Sequence, residues 1–366
     1  MSGPVTIPLH RNPAVRAWLT QIVVIGLAIW AVATIYANTV ANLNERGIKT
    51  SIAFMSEVAP FAFPLNFTPF WEIVLGESKY WEIFIAGVQN TILVSLMGIP
   101  AATFLGIAIG IARLSPNWIV RKLTSIYIEI FRNTPLLLQL LFWAFAVFPI
   151  AFNKLPPARD SIIIGNTVIN SSGIYLPHYS LAAPGWAIMA GCASVAAAAI
   201  WLLAGWARRR QDATGKSFPV LLSSIVICII LLGFGLLASA GWGEFEFPVK
   251  KGFNYQGGIR PPIQLLVLWT GLTLYTAAFI AENVRGGILA VNKGQTEAAM
   301  ALGLYRTLRL KLVILPQALR VIIPPTISQY LNLTKNSSLA VAIGYPDLYN
   351  IWTGVAPNQT GQSLII

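Results

Sequence analysis

The sequence predicts an all-α integral membrane protein. Of its 366 residues, 56% are hydrophobic and only 10% are charged, whereas a soluble domain carries roughly 25% charged residues. A membrane helix needs about 20 mostly apolar residues, and charge-free stretches of this kind recur along the chain. The basic residues lie mostly in short segments between these stretches, which is typical of topology signals in membrane proteins.

Seven membrane spans are predicted from these stretches. They lie near residues 16–37, 83–112, 134–151, 185–207, 218–240, 262–284 and 318–343. The tail from about Gly361 is expected to begin an eighth, incomplete span, which gives about eight transmembrane helices. Residues 161–184 are rich in Asn, Ser, Gly and Pro and are predicted to form a loop. In the second span, Gly106 and Gly110 form a pair of small residues that favours close helix contact.

Loops rich in Lys and Arg precede the first predicted span and follow the second, fourth and sixth. Because basic loops stay in the cytoplasm, this alternation predicts a cytoplasmic N-terminus. The segments expected on the opposite side are 46–80, 154–184, 244–260 and 344–359. Four tryptophans near span ends on that side are expected to act as interfacial anchors: Trp71, Trp81, Trp242 and Trp352.

The composition argues against several other classes of protein. The net charge of +12 reflects the topology signals, so no nucleic-acid partner is expected. Cys192 and Cys228 each lie in an apolar stretch and are expected to be small buried hydrophobes, and no metal-ligand spacing occurs in the sequence. Residues 215–217 resemble the end of a phosphate-binding loop, but Arg210 stands where that loop needs its first glycine. ATP hydrolysis by this chain is therefore not expected.

The segment from residue 294 to residue 316 lies in the basic loop after the sixth span. Thr296 is expected to cap a short helix that starts with Glu297, whose charge suits the positive end of that helix. Gly303 is expected to end the helix, and Pro316 to mark the start of the next span. Four residues would form a small apolar surface for the groove of a partner: Ala298, Ala299, Ala301 and Leu302.

This segment resembles the EAA motif of ABC importer permeases. The matching residues are Glu297, Ala298, Ala299, Gly303, Leu315 and Pro316. Val313 stands where the family usually has Ile, which is a small departure. The resemblance implies a type I ABC importer permease bundle, in which this segment couples the permease to a separate ATP-binding subunit. The structural alternative is an unrelated amphipathic surface helix.

Two further segments resemble those of polar amino acid permeases. The first matches at Arg132, Asn133, Thr134, Pro135 and Gln139. The second includes Glu282 and Arg285, and a structural role is the favoured expectation for both segments. The resemblance covers about residues 83–150 and 262–350. Residues 153–260 lie outside this core and resemble the insertion of the larger permeases for general L-amino acids or for glutamate, glutamine, aspartate and asparagine.

Polar residues inside the predicted spans are candidates for a transport pathway. Lys335 lies within the seventh span, where a charge is costly unless it faces protein or water. Asn332, Asn336 and Ser338 have spacings that can bring them near the same helix face. This group either lines the pathway, with Lys335 contacting a substrate carboxylate, or bonds to a neighbouring span. A shared structural or gating role is favoured for Lys335.

Glu282 is a fifth candidate for the pathway. It lies one helical turn before Arg285, so the two side chains can pair, and this structural role is favoured. The alternative is that Glu282 meets a substrate amino group.

Four parts are expected along the chain. Residues 1–82 would hold the N-terminal span and an extracytoplasmic segment, and residues 83–152 the first part of the permease core. Residues 153–260 would form an insertion with two additional spans. Residues 261–366 would complete the core and include the coupling segment 294–316.

The resemblance implies a transport subunit of a bacterial inner membrane, not an enzyme, that imports L-amino acids by alternating access. The implied partners are a dimer of cytoplasmic ATP-binding subunits, a second, related permease and a periplasmic amino acid-binding protein. No cofactor is expected in this chain, since ATP and Mg would bind to the ATPase. The alternative is a secondary transporter, which would need broken spans in repeated halves and acidic residues at the midplane. A membrane-embedded enzyme would need a clustered catalytic set in the spans, and the sequence suggests neither arrangement.

Overall fold

The structure is a computed structural model that describes residues 13–45, 52–61, 73, 76–181, 183–215 and 218–360. In this part of the chain, seven helical segments are long and apolar enough to cross a membrane. They are Ala17–Leu43, Tyr80–Ala112, Leu136–Asn153, Pro184–Thr214, Val220–Trp242, Ile263–Leu289 and Arg306–Ile343. Each overlaps one predicted span, so the helical bundle is confirmed. The expected start of an eighth span at Gly361 lies outside the described residues.

The helices account for most of the described chain. In order, they are α1 (Pro13–Glu45), α2 (Tyr80–Ala112), α3 (Trp118–Asn133), α4 (Leu136–Phe142), α5 (Phe148–Asn153), α6 (Ala183–Thr214), α7 (Val220–Ser239), α8 (Ile263–Leu289), α9 (Lys293–Ala301), α10 (Arg306–Arg309), α11 (Leu315–Asn336) and α12 (Ala356–Thr360). Short 3₁₀ turns lie at Ile52–Ser56, Ala158–Asp160, Ala240–Trp242 and Ser337–Ile343.

Three π-helical turns each end two residues before a proline. They are Trp143–Val147, Leu310–Ile314 and Asn350–Val355, and the prolines are Pro149, Pro316 and Pro357. A proline ring clashes with the carbonyl four residues earlier. The wider π turn relieves this clash, because the residue before the proline bonds five residues back, as Leu315 does to Leu310. Pro316 therefore lies inside one continuous helical segment, and the prediction that it marks the start of a span is wrong.

The core forms where α2 packs along α8, and α11 packs on the same helix. A Cβ atom at Gly106 would lie 2.7 Å from the Ile280 side chain, and one at Gly110 would lie 2.7 Å from the carbonyl oxygen of Ala281. No side chain fits at such distances. The predicted close contact at this pair of small residues is therefore confirmed.

The amphipathic helix α3, which precedes the third span, was not predicted. Its apolar residues recur at spacings of three and four, a helix signal in a segment interpreted for its basic residues and, at its end, for the resemblance to polar amino acid permeases. The side chain of Asn117 caps it by accepting the backbone N–H of Ile119 (2.9 Å). The hydroxyl of Tyr127 donates to the carbonyl of Leu274 (2.6 Å), which attaches α3 to α8.

The described residues of the insertion include seven short strands, so the prediction of a simple loop at residues 161–184 is wrong. The strands are β1 (Ile162–Ile164), β2 (Thr167–Asn170), β3 (Gly173–Tyr175), β4 (His178–Leu181), β5 (Gly243–Glu246), β6 (Val249–Lys251) and β7 (Asn254–Gln256). β1, β2 and β3 form an antiparallel sheet, β4 pairs with β5, and β6 pairs with β7. Ile and Val favour strands, and the two-residue turn of Gly165 and Asn166 is typical of a hairpin.

A second buried cluster joins the 3₁₀ turn at Ile52–Ser56 to α2 and the last π turn. In it, the ring of Trp352 lies 6.2 Å from that of Tyr80, centre to centre. Trp352 is only 3% exposed, so the prediction that it anchors the chain at the membrane interface is wrong. Trp81 and Trp242 are exposed, and Trp71 lies outside the described residues.

Between the last 3₁₀ turn and the last π turn, residues 345–347 are buried beside α2. The Asn90 side chain donates to the carbonyl of Pro346 (2.9 Å), and the backbone N–H of Leu348 donates to the Thr91 hydroxyl (3.1 Å). These bonds pair backbone groups that have no partner within a helix, as burial within a membrane protein requires.

The accessory helices are largely exposed in the isolated chain. α6 and α7 pack on each other, and most side chains along α1, α6 and α7 lie on the surface. Helices that are apolar on all sides suit contact with lipid.

Candidate functional site

The predicted coupling segment forms α9, which begins earlier than expected. Asn292 caps it, since its side-chain oxygen accepts the backbone N–H of Gly294 (2.8 Å). The prediction that Thr296 caps a helix starting at Glu297 is therefore wrong. Asn is among the strongest N-cap residues, so the sequence contained this signal. Glu297 lies exposed in the middle of α9.

Gly303 ends α9, as predicted. Its φ is +74°, a conformation that glycine adopts without strain. Its backbone N–H donates to the Met300 carbonyl (2.9 Å), and that of Leu304 donates to the Ala299 carbonyl (3.0 Å). This pair of bonds is the Schellman motif. A Cβ atom at Gly303 would meet nothing within 4 Å, so the position is open to a partner.

An exposed, mostly apolar surface surrounds the end of α9. Its residues are Ala298, Met300, Ala301, Leu302 and Tyr305, which we call the α9 surface. Leu302 is 80% exposed. Ala299 was predicted to belong to this surface, but it is buried and packs inward. Met300 and Tyr305 were missed, because only the alanine-rich run and its last leucine had been considered.

The end of the motif connects α9 to the next span. Leu315 and Pro316 are exposed at the start of α11. The side chain of Gln317 donates to that of Gln295 in α9 (3.4 Å), and α9 packs on the π turn that precedes α11. These contacts connect α9 to the start of α11.

The Thr-Pro segment forms the bend between α3 and α4. Thr134 is extended, with φ −96° and ψ 132°, as a residue before proline prefers, and Pro135 caps α4. Gln139 is buried, and its side-chain nitrogen donates to the carbonyls of Phe131 (3.0 Å) and Thr134 (2.9 Å). The bend interrupts the helical bonding of these carbonyls, so Gln139 stabilises it.

Arg132 and Asn133 are exposed at the end of α3. The Arg132 guanidinium lies 5.3 Å from the centre of the Phe279 ring in α8, a cation–π contact. This geometry fits the structural role expected for the segment, and the role itself stays a prediction.

Glu282 lies between two arginines near the C-terminal end of α8. Arg285 donates to its Oε1 from Nη2 (2.6 Å) and Nε (3.1 Å), so the favoured pairing is confirmed. Arg113, at the end of α2, pairs with Oε2 and also donates to the hydroxyl of Ser125 in α3 (3.2 Å). Arg113 was missed because it lies 169 residues from Glu282 in sequence.

Lys335 lines a cavity of about 350 Å³ between α2, the end of α11 and the last π turn. Ser338 and Asp347 are among its other lining residues. Ser338 also donates its hydroxyl to the Lys335 carbonyl (2.8 Å). On the last turns of α11, Asn332 is exposed and Asn336 half-buried.

The structure does not bring Glu282 together with the other pathway candidates. The cavity at Lys335 includes Thr91, whereas Glu282 pairs with Arg113 at the far end of α2. The helix between these two α2 residues corresponds to about 33 Å at 1.5 Å per residue. The cavity and the charge cluster are therefore two separate sites.

Several known proteins are similar to this chain in sequence over nearly its whole length. Residues 98–361 match the family described as binding-protein-dependent transport system inner membrane component. The putative amino-acid ABC transporter permease protein YhdX of Escherichia coli K12 is 42% identical, covering 96% of this chain and 88% of that protein. The general L-amino acid transport system permease protein AapQ of Rhizobium johnstonii is 38% identical, covering 99% of this chain and 90% of that protein.

A third relative is the glutamate/glutamine/aspartate/asparagine transport system permease protein BztB of Rhodobacter capsulatus. It is 36% identical, and the match covers 95% of this chain and 87% of that protein. A crystal structure of an amino acid ABC transporter with histidines matches with 18% identity and a TM-score of 0.43, covering 78% of this chain and 82% of that chain. From the family match and the three long relatives, this chain belongs to the inner membrane components of binding-protein-dependent transport systems, which are the permease subunits of ABC transporters.

Proposed function

We propose that this permease imports L-amino acids from the periplasm to the cytoplasm by alternating access. A dimer of separate ATPase subunits docks on the α9 surface and supplies the sites for ATP and Mg. A second, related permease completes the pathway, and a periplasmic binding protein delivers the amino acid. The N-terminus lies in the cytoplasm.

The α9 surface is the observation that carries the coupling role. A short helix with exposed apolar residues, held between two spans, suits insertion into the groove of a soluble partner. Because α9 contacts the π turn before α11, movement of a docked ATPase would pull on the spans themselves.

Amino acids are the substrate class that the relatives support. The names of the three long relatives specify amino-acid transport, general L-amino acid transport, and transport of glutamate, glutamine, aspartate and asparagine. We assign the carboxylate of the amino acid to Lys335, because Lys335 is the only basic residue among the described residues that line the cavity. Asn332, Asn336 and Ser338 are the candidate pathway residues beside it.

Substitution of Gly303 tests the coupling role. Gly303→Val forces a β-branched residue into a left-handed conformation and places a side chain where the ATPase would dock. We expect amino-acid uptake and substrate-stimulated ATP hydrolysis by the purified complex to fall at least tenfold, a change typical of lost coupling energies.

Gly165→Val is the matched control. Gly165 also has a positive φ, of +59°, and open space at its Cβ position, but it lies in the turn between β1 and β2. Wild-type uptake in Gly303→Val would refute the coupling role, and equal losses in both variants would show a folding defect. Uptake that persists without any ATPase would instead indicate a transporter driven by an ion gradient.

A further inference from the structure

Glu282 connects three helices through one carboxylate. Its Oε2 accepts from Arg113 of α2, and Arg113 also donates to Ser125 of α3. Its Oε1 accepts from Arg285 within α8. All three charged side chains are partly buried, with 19%, 25% and 31% exposure for Arg113, Glu282 and Arg285. Charge-assisted bonds of this kind are stronger than neutral ones.

The helices are also tightly packed beside this carboxylate. Gly110 approaches the Ala281 carbonyl so closely that a Cβ atom would lie 2.7 Å from it. Five residues beyond Glu282, Gly287 packs against Ile322 of α11. The end of α8 therefore cannot slide past α2 without breaking both the ion pairs and the interlocked surface.

α8 leads directly into the coupling helix. α8 ends at Leu289 and α9 begins at Lys293. Only three residues connect the two helices, so a displacement of α9 would act on α8 through a short linker. The ion pairs at Glu282 extend this connection to α2 and α3 near the C-terminal end of α8.

We propose that Arg113, Glu282 and Arg285 form a joint that makes α2, α3 and α8 move as one body with α9. Arg113 and Glu282 are positioning residues, since neither lines the cavity at Lys335. The proposal rests on the proposed function only in treating α9 as the docking site of the ATPase. It also gives each oxygen of Glu282 an arginine partner.

The first test measures whether α2 and α8 move together in the intact complex. Ile111→Cys and Leu289→Cys place spin labels at two exposed helix ends, in a background where Cys192 and Cys228 are replaced by Ser. We expect the distance between the labels to change by less than about 2 Å when ATP is added, whereas a helix that slips by one turn moves about 5 Å. A change of that larger size would overturn the joint.

The second test removes the charge of Glu282. In Glu282→Gln, we expect the distribution of label distances to broaden and uptake per ATP hydrolysed to fall about tenfold, within the usual range of coupling energies. Arg121→Gln is the control, because Arg121 is a charged residue of α3 that contacts the Ser115 carbonyl instead of Glu282. A Glu282→Gln complex with the label distances and uptake of the wild type would contradict the proposal.

The third test inverts all three charges. The triple variant Arg113→Glu, Glu282→Arg and Arg285→Glu restores the attractions with opposite signs, so uptake should recover at least tenfold relative to Glu282→Arg alone. No recovery in a triple variant that melts like the wild type would show that the carboxylate itself is needed, as for contact with a substrate. If the wild-type complex transports no amino acid, the proposed function fails, while the label distances still test the joint.

Discussion

Asp347 is the carboxylate that burial perturbs most outside the membrane spans. Its side chain is 1% exposed, and its Oδ1 accepts the backbone N–H of Asn350 (2.8 Å). Burial raises the pKa of Asp347 from its ordinary 3.8 to about 6. Because the folded state holds the proton more tightly than the unfolded state, stability falls as pH rises from about 4 to about 6 and then stays lower.

Replacing Asp347 by Asn should remove this pH dependence. Asn keeps an oxygen for the N–H of Asn350 but carries no charge to bury, so we expect the free energy of unfolding at neutral pH to rise by about 3 kcal/mol. The measurement is the melting temperature of the solubilised protein at about pH 4.5 and about pH 7.5. The difference between these temperatures should shrink in Asp347→Asn and persist in Asp212→Asn, which alters an exposed residue. Equal differences in both variants would refute the explanation.

Gln139 is buried at the bend between α3 and α4, where its side chain donates two hydrogen bonds to backbone carbonyls. Gln139→Leu has a similar volume but cannot donate to the carbonyls of Phe131 and Thr134. Two lost hydrogen bonds should lower the free energy of unfolding by about 1–3 kcal/mol, which thermal melting would detect. Leu138→Gln, at an exposed neighbouring position, controls for a change of polarity in the same helix. A melting temperature of Gln139→Leu equal to that of the wild type would show that the bend does not depend on these bonds.

Among the elements, the α2–α8 pair depends most on small residues. Gly110→Ala would place a methyl group 2.7 Å from the Ala281 carbonyl oxygen, so the helices must separate, at a cost of about 1–3 kcal/mol. Gly26→Ala in α1 is the matched control, since its Cβ position is open and Ala favours a helix over Gly by about 1 kcal/mol. Thermal melting should show a loss for Gly110→Ala alone. A melting temperature of Gly110→Ala equal to that of the wild type would show that the stability of the α2–α8 pair does not depend on this close contact.

The sequence predicts the spans well because each follows from a local property, the length of an apolar run. Gly106 and Gly110 were recognised for the same reason, since their spacing lies within one helix. The π turns were not predicted, because a proline usually indicates a helix end and only the surrounding helix shows that it continues through Pro316. In the insertion, the hairpin turn at Gly165 was a readable signal that the polar composition of the segment hid.

At the scale of the whole molecule, the limit of sequence reasoning lies in contacts between distant segments. Arg113 and Glu282 meet across 169 residues, and no spacing rule relates them. Trp352 lies near a predicted span end, but its burial depends on Tyr80 and Phe84 of α2. By contrast, the coupling segment could be recognised because its matching residues lie close together in the sequence. Which of its apolar residues are exposed could be seen only in the structure.

The orientation of the whole chain can be tested at the two ends of α7. This helix has 20 residues, about 30 Å at 1.5 Å per residue, so its ends should lie on opposite sides of the membrane. Without native cysteines, a cysteine at Phe253, which is 99% exposed, should react with an impermeant maleimide in intact spheroplasts. Asp212→Cys, at an exposed position in the last turn of α6, should react only after permeabilisation, because the basic segment that contains it stays in the cytoplasm. The reverse pattern would invert the proposed topology and place α9 outside the cell, where no ATPase could reach it.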